Sequence, residues 1–135
     1  MKFKFLVMTF IFGTTLGLLQ GCSGESITTL AGSGIGQGGK SLFFSRTKGG
    51  CSVCHKVSSK ELVGPGLAGV SRRHSREWLV KWVTDPGQTW RENGLETRGM
   101  KKRLRKEIQA ETKMKLLNPL NEEEIEAIVD YLTTL

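Results

Sequence analysis

The chain has no second CxxC pair, no HxxxH pair and only two histidines, which removes the usual ligand spacings of a structural zinc site. No stretch alternates apolar and polar residues in the way a half-buried strand does, and no segment repeats. An uninterrupted membrane span is missing too. The most apolar run, from Phe5 to Leu19, is broken by Thr9, Gly13, Thr14, Thr15 and Gly17 and falls short of the roughly 20 residues a spanning helix needs. Lys and Arg number 20 against 13 acids, a modest formal charge of +7. That balance lies far from a nucleic-acid footprint with interleaved aromatics and is compatible with acidic partners or an anionic membrane surface.

At the N-terminus, Lys2 and Lys4 precede the apolar run, and small residues follow it, the layout of an export signal over residues 1–21. A retained anchor helix is the alternative. Leu19-Gln20-Gly21-Cys22 resembles a bacterial lipobox, in which cleavage exposes a cysteine that carries lipid. Lipid on Cys22 accounts for a cysteine with no partner in an oxidising compartment; ordinary cleavage with a free thiol is the rival. Loss of residues 1–21 lowers Lys plus Arg to 18 and the formal charge to +5.

Residues 22–39 are rich in Gly, Ser and Thr and read as a flexible tether. As a random coil, the segment from Ser23 to Gly39 spans roughly 20–25 Å. The folded domain then covers residues 40–135. Ser41 to Arg46 suggests a short helix stopped by Gly49 and Gly50. Ser75 caps a helix with Trp78, Leu79, Trp82 and Val83 on one face, ending before Pro86. Trp90 and Gly94 suggest a loop. From Glu96 to Lys113 the pattern predicts a charged helix with a narrow stripe of Met100, Leu104 and Ile108, and a solvated basic cluster from Lys101 to Lys106. The last helix has Asn121 as N-cap, Glu124 at the capping-box position, and Ile125, Ile128, Val129 and Leu132 on one face.

Cys51-Ser52-Val53-Cys54-His55 carries the chemistry. Two thiols three positions apart can add to the two vinyl groups of one haem, and the adjoining histidine then lies under the iron as an axial ligand. A thioredoxin-like dithiol is the competing reading of the same cysteines, and it predicts a colourless protein.

In chain order, Gly39-Lys40-Ser41-Leu42-Phe43, the Cys51–His55 motif, Val63-Gly64-Pro65-Gly66-Leu67-Ala68-Gly69-Val70 and the segment from Glu122 to Leu132 resemble the class I monohaem cytochromes c. The resemblance covers almost all of residues 40–135. It implies an all-α fold of about four helices around one covalent haem c, with much of the core supplied by the haem. It also implies that the Pro65 carbonyl accepts a hydrogen bond from His55, and that the first and last helices cross with Phe43 or Phe44 against Tyr131. Relatives usually take their sixth ligand from a methionine ahead of the last helix. Met114, seven residues before Asn121, is in that place, although Lys115 stands where many relatives have proline. Met100 and His74 are the rivals, and Arg72, Arg73, Trp78 and Trp82 are candidate propionate contacts.

The expected function is one-electron transfer with no substrate transformed, in an extracytoplasmic respiratory chain. The protein would be lipid-anchored on the periplasmic side of a bacterial membrane. It would meet redox proteins as a monomer or as a subunit of a larger complex. An open-site haem protein, either a gas sensor or a peroxidase-like enzyme, and a fixed oxidoreductase subunit are the alternatives.

Overall fold

The structure is a computed structural model that describes residues 36–135; the signal reading, Cys22 and residues 22–35 of the tether lie outside it. Among the described residues there are five α-helices and no strand. They are α1 (Gln37–Phe44), α2 (Arg76–Thr84), α3 (Pro86–Glu92), α4 (Leu95–Arg103) and α5 (Glu122–Thr133), with short 3-10 turns at Cys51–Val53 and Val70–Arg72. None of these helices is long and apolar enough to cross a membrane.

Helix α5 organises the core. Its N-terminus is closed by a reciprocal pair: Glu124 N donates to the Asn121 side chain at 2.8 Å, and Asn121 N donates to the Glu124 carboxylate at 3.0 Å. The face anticipated from its periodicity, Ile125, Ile128, Val129 and Leu132, is buried together with Tyr131. Against it lies α1, whose Phe43 is 0% exposed and meets the Tyr131 ring edge-on at 5.5 Å. Phe43, not Phe44, makes this contact; Phe44 is largely exposed. Leu79 and Val83 of α2 complete the cluster with Val70. Arg76 also docks α2 on α5, donating to Asp130 at 2.8 Å and to Glu126.

The structure corrects several sequence expectations. Helix α1 opens at Gln37, so residues 37–39 of the segment assigned to the tether are helical. It ends at Phe44, ahead of Gly49 and Gly50, because Ser45 turns extended and its hydroxyl accepts from the Thr47 and Lys48 amides at 3.2 and 3.1 Å. The five helices among the described residues agree with the expected all-α fold of about four. Pro86 does end α2, but it also begins α3, where its fixed φ suits the first helical position and Asp85 caps Gln88 N at 2.7 Å. Trp90 therefore sits in a helix, and Gly94 is the N-cap of α4.

Helix α4 stops at Arg103, ten residues short of Lys113. Arg105 adopts a left-handed conformation (φ 53), which turns the chain back, and Ile108 is 99% exposed, so the anticipated stripe dissolves after Met100. The reversed segment instead offers the Gln109 carbonyl to the Trp90 indole at 3.0 Å. Nor is the basic cluster uniformly solvated. Lys101 is buried, with Nζ donating to the Trp90 carbonyl (3.0 Å) and Asn93 Oδ1 (2.9 Å) and lying 4.4 Å from the Trp90 ring centre.

Candidate functional site

The chain enters the site through Gly50, whose left-handed backbone (φ 67) starts the Cys51–Val53 turn. The amides of Cys54 and His55 both donate to the Cys51 carbonyl, at 3.1 and 2.8 Å, so the two thiols and the imidazole project from one tight turn. Both thiols are half-buried and unpaired. Burial pushes the Cys51 thiol up to about 11, so it is protonated at neutral pH. A dithiol catalyst needs the opposite, a thiolate stabilised by positive surroundings.

The next loop is stitched onto this turn. Gly64 N donates to the Cys54 carbonyl at 2.7 Å and Leu67 N to the Lys56 carbonyl at 2.9 Å, which carries Pro65 beneath His55. His55 Nδ1 lies 2.8 Å from the Pro65 carbonyl oxygen. That oxygen can only accept, so Nδ1 holds the proton and Nε2 keeps a free lone pair for a metal. Gly64 lies flat against the ring: a Cβ there would come within 2.4 Å of His55 Cε1. Arg73 braces the same loop by donating to the Ala68 carbonyl at 2.6 Å.

Met114 is half-buried on the loop before α5, where Trp82 Nε1 donates to its sulfur at 2.9 Å. It lines a cavity of about 430 Å³ with Thr84, Pro86, Arg91, Leu116 and Pro119; Cys51, Cys54 and His55 do not line it. The structure thus joins Cys51, Cys54, His55 and Pro65 in one cluster and sets Met114 against the α2 aromatics.

The rivals for the sixth position are otherwise engaged. Met100 is buried within α4. His74 is buried with both nitrogens occupied: Arg103 donates to Nε2 at 2.9 Å, so Nδ1 carries the proton toward Glu96, 3.3 Å away. Of the candidate propionate donors, Trp78 gives its indole N–H to Thr97 Oγ1 at 3.0 Å.

Burial, and then the Arg103 charge, hold His74 below its ordinary 6.5, against the opposing pull of Glu96. The unfolded chain therefore binds a proton at His74 that the folded chain refuses. His74 should contribute full stability above about pH 6.5 and progressively less as pH falls below it. A pH series of NMR spectra should show the His74 ring titrating below 6.5; titration at or above that value would refute the burial argument.

Sequence reading missed the aromatic row in which His74 stacks on Trp78 at 4.0 Å and Trp78 on Trp82 at 5.0 Å. The signal was present in the fourfold spacing 74, 78, 82, although only Trp78 and Trp82 lie in α2 and His74 precedes its Ser75 cap. Among the described residues no group of three or more His, Cys, Asp or Glu side chains is assembled for a metal ion. Residues 37–135 match the family model described as Cytochrome c. No curated protein and no solved structure matches the chain.

Proposed function

The chain belongs to the cytochrome c family, a family of haem-based electron carriers, and from that premise we propose that it carries one electron at a time on a single haem c. In this reading Cys51 and Cys54 would form the two thioether bonds to the haem, and His55 and Met114 would ligate its iron. The observation that carries it is the His55 Nδ1 to Pro65 hydrogen bond of 2.8 Å, which leaves Nε2 as the free donor beside two unpaired thiols.

Haem held there supplies an iron that accepts and releases single electrons. The chain's part is to hold it still. Thioethers on Cys51 and Cys54 would fix the macrocycle to this stretch of chain, the Pro65 carbonyl fixes the tautomer and orientation of the His55 ring, and a Met114 ligand would favour a higher potential than a second histidine. Retaining both ligands in both redox states keeps rearrangement small, which suits a carrier and disfavours turnover of a substrate.

The proposal extends to location. Residues 1–21 serve as an export signal, lipid on Cys22 holds the domain on the periplasmic face of a bacterial membrane, and redox proteins of a respiratory chain are its partners. Support comes from the Leu19–Cys22 motif, the tether that follows and the residual charge of +5 after cleavage. The domain acts as a monomer or as a subunit of a larger complex, which co-purification from membranes separates.

Absorption spectra of the haem-loaded protein in both redox states, with Met114→Ala alongside, test the ligand set. The weak long-wavelength ferric band of sulfur-to-iron ligation should be present in the native protein and lost in Met114→Ala, and native ferrous protein should not bind carbon monoxide. A native protein that lacks the band and binds carbon monoxide readily would favour the sensor or peroxidase-like alternative.

A further inference from the structure

Three indoles lie along the α2–α3 corner, and each N–H has one acceptor. Trp78 donates to the Thr97 hydroxyl at 3.0 Å and Trp90 to the Gln109 carbonyl at 3.0 Å, both oxygens. Trp82 donates to a thioether, Met114 Sδ, at 2.9 Å. Thioether sulfur is a weak acceptor, so the attraction alone does not explain the pairing. The scaffold does: Trp82 stacks on Trp78 at 5.0 Å and meets Trp90 at 6.3 Å, which fixes the plane of its ring and the direction of its N–H.

Met114, by contrast, has three rotatable bonds and sits on a loop, with its own amide bonded to Thr112 Oγ1 at 3.1 Å. Its sulfur has two lone pairs. One accepts from Trp82; the other is left to donate elsewhere.

We propose that Trp82 is a positioning residue for the axial methionine: its indole N–H orients the Met114 sulfur and withdraws electron density from it. The inference rests on Met114 being the iron ligand. A sulfur polarised by a hydrogen bond is a poorer donor, and ferric iron needs donor density more than ferrous iron does. The bond therefore raises the reduction potential, and because it weakens the sulfur-to-ferric bond it also eases replacement of the sulfur by another ligand in the ferric state. This role falls to one atom, Trp82 Nε1, rather than to the bulk of the side chain.

The test compares the haem-loaded native protein with Trp82→Phe, which keeps an aromatic ring against Trp78 but has no N–H. A second variant carries 3-benzothienylalanine at position 82, which preserves the shape of indole and covers the case in which phenylalanine packs badly. Redox titration and equilibrium binding of free imidazole are the readouts.

Both variants should be easier to oxidise. At a fixed ambient potential near the midpoint, the ferrous-to-ferric ratio should fall several-fold; a full tenfold change corresponds to about 59 mV for one electron. Imidazole should displace the sulfur from the ferric protein only at several-fold higher concentration. Neither readout should move if Trp82 only fills space. An unchanged potential and unchanged imidazole affinity in both variants, while Met114→Ala abolishes the sulfur band, would overturn the role of Trp82 and leave the ligand assignment standing. A Met114→Ala spectrum identical to the native one would instead remove the ligand assignment, and this inference with it.

Discussion

Gly39→Ala should cost the haem-loaded domain more than about 2 kcal/mol, whereas Gly38→Ala, one residue away on the same helix, should be neutral or slightly stabilising. A Cβ on Gly39 would lie 1.8 Å from the Ala127 carbonyl oxygen, 2.5 Å from its carbon and 2.9 Å from Tyr131 Cβ. Two of those atoms are backbone within α5, so no side chain can rotate aside. Relief requires α1 and α5 to separate, and that seam covers Phe43 and Val129, both 0% exposed, and Ile128 at 1%. Nothing lies within 4 Å of a Cβ on Gly38. There the helix should gain at most the roughly 0.8–1.0 kcal/mol by which alanine outranks glycine in a helix interior, and less at the second position of α1. Against the 5–15 kcal/mol that holds a typical domain together, the loss at Gly39 is a large share. Guanidinium unfolding of both haem-loaded variants reads the difference. Equal midpoints would mean that the two helices do not cross at Gly39.

The same crossing shows which parts of the fold were legible from residues alone. Wherever the signal was local, the reading held: the capping box of α5 and the Ser75 cap of α2, which accepts from Trp78 N at 3.2 Å, came from the residues, whereas the family resemblance supplied the Tyr131 contact and left it open between Phe43 and Phe44, and it falls to Phe43. The reading failed where one residue serves two elements or where a distant group decides. Pro86 ends one helix and starts another, and only the Asp85 cap distinguishes this from a loop. The apolar spacing that continues from Met100 to Ile108 is helical on paper. The turn at Arg105, φ 53, cuts it, and no residue type at that position announces a left-handed backbone.

At the site, the motif from Cys51 to His55 and its contact with Pro65 follow from a turn and a loop close in sequence. The Trp82 to Met114 bond joins residues 32 positions apart and depends on how α2 and the last loop pack. The resemblance to the cytochromes c gave Met114 as a candidate ligand, but nothing local to it gave its donor. Lys101 fails in the same way, since its burial depends on Asn93 and the Trp90 carbonyl rather than on the charges around it.

Gly64→Ala separates site from fold. A Cβ on Gly64 would meet the His55 ring at 2.4 Å from Cε1, 2.8 Å from Nδ1 and 2.9 Å from Nε2, so it presses on a whole face of the imidazole. Unlike the Ala127 carbonyl, a ring is the far end of a side chain and can turn. Turning it relieves the clash at little expense to the packing of α1, α2 and α5, but it breaks the 2.8 Å bond to the Pro65 carbonyl. The ring then loses both its tautomer lock and its orientation. Losing such a supporting partner typically weakens a metal ligand by about 10–100-fold. The haem-loaded variant should therefore keep its thioether-bound haem, its helical circular dichroism and its unfolding midpoint within about 1 kcal/mol of native. Free imidazole takes the place of the sulfur first; on the same scale, the second imidazole, which displaces His55, should bind at roughly 10–100-fold lower concentration than in the native protein. A variant with native imidazole affinity and a native spectrum would mean that Gly64 does not guard the proximal ring. A variant that unfolds outright would mean that the loop from Leu62 to Ala68 supports the fold more than the ligand.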